Sequence, residues 1–375
     1  MARIESLSQL LTTDGKDLLA EVYGKVIDNV QKETISERLK NTDLSGTPTA
    51  GSVECKRFTN TESKAYGTAR SGGAGQKNEV KPVTLKIDTD RELIHEVEQK
   101  DISLYGVEGL ISRKAAADTS SMKRELERSF FETAVLGGTQ KETFTATDAL
   151  GKFEEIVQLI ETTQNEFVDG VPRDMISVIM NPATYGELRT FIDTKTYNAN
   201  VETSAESINT IHGVEVYSST YMPSGVKMIA MCKGSVGRMV LTNLDQADKF
   251  PASNAYHFGL FYSYGNVAVT PDLIYYVADG ATNLKLSAKD STTSGSTDIS
   301  VNYVGVDNIK DYYYKDNTST ALAIGTAISG AGYTKGTVKD GVMTVSSTNG
   351  NKIAVVAVNA EDKVVAGNVV TAVIS

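Results

Sequence analysis

Side chains able to do chemistry are few and scattered in this sequence. It holds three histidines, His95, His212 and His257, and two cysteines, Cys55 and Cys232, in 375 residues. No histidine has a second one at metal-ligand spacing. Leu93-Ile94-His95-Glu96-Val97-Glu98 matches half of a zinc-hydrolase motif and lacks its second histidine. As a strand it sends His95 and Glu96 to opposite faces, so His95 reads as a structural histidine. Asp88-Thr89-Asp90 opens like a calcium loop, but Leu93 stands where such a loop needs glycine. Asp290 to Val301 places Gly295 correctly and then puts Val301 where a bidentate glutamate is required. The stretch from Gly72 to Lys77 is not a phosphate-binding loop, because Asn78 follows the lysine where Ser or Thr should stand. Gly234-Ser235-Val236-Gly237 misses the nucleophile elbow by one position. With no histidine partner indicated, Cys55 and Cys232 read as buried or idle thiols. Tyr312-Tyr313-Tyr314 is a candidate surface-binding patch for sugar or protein. On a strand, though, Tyr312 and Tyr314 face one way and Tyr313 the other, so part of it belongs to a core. The expectation is a protein that is not an enzyme, with no catalytic residue, metal or cofactor.

Composition narrows the class further. Hydrophobic residues make up 40% and charged residues 22%, as in ordinary globular proteins. No apolar run approaches the roughly 18 residues of a membrane helix. Met1-Ala2-Arg3-Ile4-Glu5-Ser6 has no secretory apolar segment, and two cysteines make no disulfide framework. Folding in a cytoplasm is expected. The net charge of −10 argues against a chain that clings to nucleic acid through its overall charge. That charge is uneven. Residues 281–375 hold eight Lys and eight Asp or Glu, so the earlier residues account for all of it. The last arginine is Arg238 and the last proline Pro271. Such a break marks a domain boundary, placed in Asp279-Gly280-Ala281-Thr282-Asn283.

The elements between these points read as an α+β chain. Residues 4–31 form a helix with Leu18, Leu19, Val22, Tyr23, Val26, Ile27 and Val30 on one stripe and Asp14 as its N-cap. That stripe packs on the chain's own core or serves as an arm on a neighbour; the residues slightly favour the former. Ser52 to Phe58 and Val80 to Ile87 are strands flanking a Gly-rich stretch, Arg70 to Asn78, and together make an extended hairpin. Lys64, Arg70, Lys77 and Lys81 make its tip basic. A two-stranded hairpin is marginal alone, so it is expected to rest on a partner. Residues 101–136 form one long helix ended by Gly137-Gly138. Residues 148–166 form a second helix, and Met175 to Met180 is a buried strand. Asn181-Pro182 opens a helix over Ala183 to Phe191. Ile211 to Tyr217, Lys227 to Cys232, Tyr256 to Val269 and Leu273 to Val277 are further strands. Beyond residue 283, seven short strands are read: Leu284–Ala288, Asp298–Val304, Lys310–Lys315, Ala321–Ile324, Gly341–Ser346, Lys352–Val358 and Val364–Ile374. That is the size of an immunoglobulin-like sandwich, without its usual Cys and Trp.

The order of these parts resembles the major capsid protein of tailed phages, the Hong Kong 97-type shell fold shared with encapsulins. Met180-Asn181-Pro182-Ala183-Thr184-Tyr185-Gly186-Glu187-Leu188 looks like the family's MNP-x-T-aromatic-x-x-L strand-to-helix element. Ile211-His212-Gly213-Val214-Glu215-Val216, followed by Met222-Pro223-Ser224-Gly225, resembles the next. The resemblance covers about residues 1–279. It implies an N-terminal arm over 1–48 and a shell domain over 49–280. Within that domain it implies an extended loop at about 50–82, a spine helix at about 101–136 and an axial domain at about 148–250. Residues 281–375 resemble the bacterial immunoglobulin-like modules that some phages add.

What the resemblance implies is assembly. Copies of the chain would form hexamers and pentamers of an icosahedral shell, part of the virion, built in the host cytoplasm with no membrane. The shell would enclose double-stranded DNA without sequence-specific binding. The partners implied are self, a separate scaffolding protein and a portal, with a host-surface glycan as a candidate ligand of 281–375. Lys64, Arg70, Lys77 and Lys81 would contact the next subunit. Lys64 and Lys77 sit where some members crosslink, but no motif identifies a partner residue. The alternatives are an encapsulin-like compartment, a surface glycan-binding adhesin, and a hydrolase with an accessory sandwich.

Overall fold

The structure is a computed structural model that describes residues 7–45, 51–61, 79–98, 106–141, 143–194, 210–223, 225–249, 254–278, 284–302 and 309–374. A 3-10 turn, Leu7–Leu11, precedes α1 (Thr13–Glu33), α2 (Ile35–Leu39), β1 (Lys40–Asn41), β2 (Leu44–Ser45), β3 (Ser52–Phe58), β4 (Val80–Lys86) and β5 (Thr89–Glu98). Then come α3 (Gly106–Gly137), β6 (Thr139–Gln140), α4 (Ala149–Glu161), β7 (Ile176–Met180), α5 (Pro182–Thr194), β8 (Thr210–Ile211), β9 (Val214–Ser218) and β10 (Val226–Cys232). Two long strands, β11 (Val236–Lys249) and β12 (Ala255–Ala268), lead to β13 (Ile274–Ala278). The C-terminal strands are β14 (Lys285–Asp290), β15 (Ser296–Asn302), β16 (Asp311–Lys315), β17 (Thr334–Gly336), β18 (Val342–Ser346), β19 (Lys352–Val358) and β20 (Val364–Thr371). The chain divides into two compact units, residues 1–130 with 236–269, and residues 131–235 with 270–375.

In the first unit, a four-stranded sheet of order β1-β11-β12-β5 carries the helices. The α1 stripe is buried within its own chain: Leu19, Tyr23, Val26 and Val30 pack with Val107, Ile111, Met122 and Leu126 of α3 and with Phe258, Leu260, Tyr262 and Tyr264 of β12. The long helix is present over 32 residues, about 48 Å at 1.5 Å per residue. The expected start of α1 is corrected. Residues 7–11 form a separate 3-10 turn, and Thr12, not Asp14, flanks the helix. Thr12 makes no side-chain cap, because its hydroxyl donates back to Gln9 O at 2.5 Å. Gly15 lets the turn fold onto the helix, since a Cβ there would lie 2.3 Å from Gln9 O. A second sheet, β2-β3-β4, holds the base of the hairpin.

In the second unit, a six-stranded sheet of order β6-β13-β10-β7-β9-β8 is covered by α4 and α5. Strand β7 is buried at all five positions, as a strand with both faces covered must be. The Asn181 carboxamide oxygen accepts from Thr184 N at 2.7 Å and its amide donates to Val226 O at 3.2 Å, so one side chain caps α5 and ties it to the sheet. Asp148 caps α4 by accepting from Gly151 N. The run Ile211 to Tyr217 is not one strand. His212 (φ 49°) and Gly213 (φ 87°) form a tight two-residue turn that splits it into the hairpin β8–β9.

Beyond residue 283, two sheets of order β14-β15-β18 and β17-β16-β19-β20 share a core of Ile299, Val301, Met343 and Val345 against Ile353, Val355, Ala357 and Ala366. Ala321 to Ile324 is not a strand. Ala321, Leu322 and Ile324 lie with Ile328 over the other face of β19, against Ala354, Val356 and Val358. The short strand Thr334–Gly336 was not expected, and neither was β11.

Candidate functional site

Three polar clusters hold the residues that chemistry would use, and each is a tie between elements. His95 Nε2 lies 2.8 Å from Asp118 Oδ1, and Tyr23 donates its hydroxyl to Asp118 Oδ2 at 3.2 Å. This joins β5, α3 and α1 around a carboxylate in a residue only 2% exposed, as expected for a structural histidine. Arg173 donates from Nη2 to Glu154 Oε2 at 2.8 Å and from Nε to Glu161 Oε1 at 2.7 Å. His212 Nδ1 lies 2.5 Å from Glu154 Oε1. Desolvation pushes the Glu154 carboxyl up, but hydrogen bonds from Arg173 and His212 outweigh it and hold the group below its ordinary value. The cluster clamps the β8–β9 turn to α4.

The third cluster is the most buried. Glu127 of α3 accepts from Ser36 N at 2.8 Å and from Ser36 Oγ at 2.6 Å. Arg238 of β11, 2% exposed, donates to Ser36 Oγ and, at 2.5 Å, to Glu37 Oε2. Its guanidinium also sits over the Phe130 ring. Burial pushes the Glu127 carboxyl up despite the bonds from Ser36 and the charge of Arg238. Glu127 Oε2 and Arg238 Nε have no hydrogen-bond partner among the described residues. Sequence reading missed this cluster, since α2, α3 and β11 are far apart in the chain. The only local signal was the last arginine of the sequence standing alone.

Both cysteines are buried and free, with thiols pushed up to about 11 by desolvation. Among the described residues no group of three His, Cys, Asp or Glu could hold a metal ion, and no helix is long and apolar enough to cross a membrane. A cleft of about 350 Å³ in the second unit is lined by Phe144, Lys152, Met180, Thr184, Glu187 and Lys227, among others.

Of the residues expected to contact a neighbour, Lys81 is placed: it lies exposed on β4, opposite Arg57. Lys64, Arg70 and Lys77 lie outside the described residues. The base of the hairpin is anchored in its own unit. Val53, Cys55 and Leu85 are buried, and a Cβ on Gly237 of β11 would lie 3.0 Å from Cys55 Sγ. Toward its end that burial stops: Phe58 and Val80, directly opposite each other, are 59% and 45% exposed. Tyr312, Tyr313 and Tyr314 are half-buried on β16. Tyr312 and Tyr314 pack on the core between the sheets and Tyr313 on the opposite face, as the alternation predicts.

No protein-family model matches the chain, and no curated protein matches it in sequence. Solved structures do match. A chain of Mycobacterium phage Che8 superposes with a TM-score of 0.50 at 16% identity, covering 65% of this chain and 91% of that one. A chain from the capsid structure of the Cyanophage P-SCSP1u gives a TM-score of 0.50 at 12% identity, covering 65% of this chain and 88% of that one. The chain has a phage-capsid-like fold. That capsid-like fold accounts for almost the whole length of either phage chain and leaves about a third of this one outside the likeness.

Proposed function

We propose that the chain is the major capsid subunit of a tailed bacteriophage, of the Hong Kong 97-type fold, assembling into an icosahedral shell around double-stranded DNA. The observation that carries this is the fold likeness spanning 88% of a chain from a cyanophage capsid structure. In this reading residues 1–48 are the arm, 49–280 the shell domain and 281–375 an added immunoglobulin-like module facing outward. The working parts are then surfaces: many weak contacts per subunit, multiplied by closed symmetry. The net charge of −10 suits an inner wall along which packaged DNA must slide. The shell forms in the host cytoplasm with a scaffolding protein and a portal, and the outer module binds a host-surface glycan weakly. Changing Lys64, Arg70 and Lys77 together to Glu tests the role of the loop. The expected result is a normally folded subunit by melting curve and no closed shells by sedimentation. Normal shells from this variant would contradict that role.

A further inference from the structure

The cleft in the second unit has an apolar floor and a charged mouth. Its floor is one register row of the six-stranded sheet. Val277 of β13, Met228 of β10 and Met180 of β7 stand directly opposite one another, so their side chains share a face about 10 Å wide. Met228 and Met180 are buried and pack with the buried Leu188 of α5. Two flexible thioethers adapt to whatever apolar shape lies on them. Phe144 forms a side wall. Glu155 of α4 fixes the segment that carries it, accepting from Thr145 N at 3.1 Å and from Ala146 N at 2.6 Å.

Two lysines stand at the mouth. Strand β10 pairs with β13 as Val226 to Ala278 and then as Met228 to Val277, so Lys227 is an extra residue, a β-bulge. In a regular strand Lys227 and Met228 would face opposite ways, yet both line the cleft. Asn181 holds the bulge, donating from its backbone N to Lys227 O at 3.0 Å and from its side chain to Val226 O at 3.2 Å. Lys152, in the first turn of α4, makes no ion pair with a described residue. Glu187, exposed on α5, is the one acid among the lining residues and pairs with neither lysine. Two bases against one acid leave the mouth positive.

We infer that this cleft binds a small amphipathic carboxylate, its apolar body on Met180, Met228 and Phe144 and its carboxylate on Lys152 and Lys227. A volume of about 350 Å³ is at the small end of ligand pockets. At about 30 Å³ each it holds about a dozen non-hydrogen atoms. A solvated rim of lysines around an apolar dimple is the plainer role, but that role predicts no preference for negative charge on a bound apolar chain. The inference concerns the second unit alone and is independent of the shell reading.

Octanoate, octanol and octylamine titrated into the purified full chain at low salt test it by calorimetry. Octanoate should bind with a Kd below about 1 mM, octanol at least tenfold more weakly, and octylamine more weakly still. Lys152→Met with Lys227→Met should raise the octanoate Kd at least tenfold and leave octanol unchanged, while Glu187→Gln should lower it about threefold. No octanoate binding, octanol binding as tightly, or a parent-like Kd in the lysine variant overturns the inference. With methyl-labelled methionines, octanoate should shift the Met180 and Met228 signals, and binding that leaves both unmoved overturns it even if a variant melts early. Binding to free subunits that is lost on assembly shows the cleft filled by a neighbouring chain and also overturns it.

Discussion

Replacing Arg238 with alanine should be the most damaging single change in the first unit. Arg238 is 2% exposed and donates to both Ser36 and Glu37, while Glu127, 1% exposed, has its carboxylate on the same Ser36. Removing one partner from a buried charge network costs about 3–5 kcal/mol, because the remaining charge stays desolvated. At about 2–4 °C per kcal/mol, melting falls by roughly 6–20 °C. The loss should depend on pH. Glu127 titrates above its ordinary value in the folded chain, so the native state holds its proton longer than the unfolded state, and the carboxylate form opposes folding as pH rises above about 4.5. Without Arg238 that penalty grows. Glu37 titrates below its ordinary value: desolvation pushes it up, and Lys40 and Arg238 more than offset this. The stabilisation from Glu37 is present above its unfolded value, lost as pH falls through the folded one, and weakened in the variant. The Glu37 loss is nearly the same at pH 5 and pH 8, both of which lie above its unfolded value, so it is the Glu127 penalty that makes Arg238→Ala cost more at pH 8 than at pH 5. Urea melts at the two pH values measure this, with Glu127→Gln added to show partial recovery. A loss below about 1 kcal/mol, or an equal loss at both pH values, would refute the reasoning.

Other expectations follow from local geometry. Gly265→Ala should cost more than about 2 kcal/mol, because the new Cβ would lie 1.8 Å from the backbone oxygen of Lys86, whereas Gly186→Ala, in open space inside α5, should gain about 0.5–1 kcal/mol; urea melts compare them. Cys55 and Cys232, buried with thiols near 11, should resist alkylation in the native protein at pH 8 and both label once unfolded without reductant; a disulfide between them in protein taken from cells would contradict this. Residues 281–375 expressed alone should melt cooperatively with a β-type circular dichroism spectrum, and a chain stopped after Asp279 should still assemble. Aggregation of both would move the proposed boundary.

Local chemistry made much of the fold legible. Asn181-Pro182 reads as a helix start because the cap is a contact within four residues, and α3 reads as a helix because its apolar spacing repeats over many turns. Strand β11 did not read as a strand, because Thr242-Asn243-Leu244-Asp245-Gln246 is polar and rich in turn formers. Twelve register pairs with β12, interrupted by a bulge between Asp245 and Asp248, override that propensity. Ala321 to Ile324 misled in the other direction, since an apolar run covering a sheet looks like an apolar run within one. The basic character of the hairpin is plain from composition. Its apolar partners are not, because Phe58 and Val80 in a strand look like core until the register and burial show them facing out.

Negative-stain imaging of the purified full chain, with particles taken directly from the expressing cells, tests the central claim most directly. The account predicts closed shells, or ring-shaped intermediates with five- and six-fold symmetry, that incorporate the whole chain. A chain that stays monomeric by sedimentation at every concentration, and shows only dispersed single subunits on the grid, would contradict it.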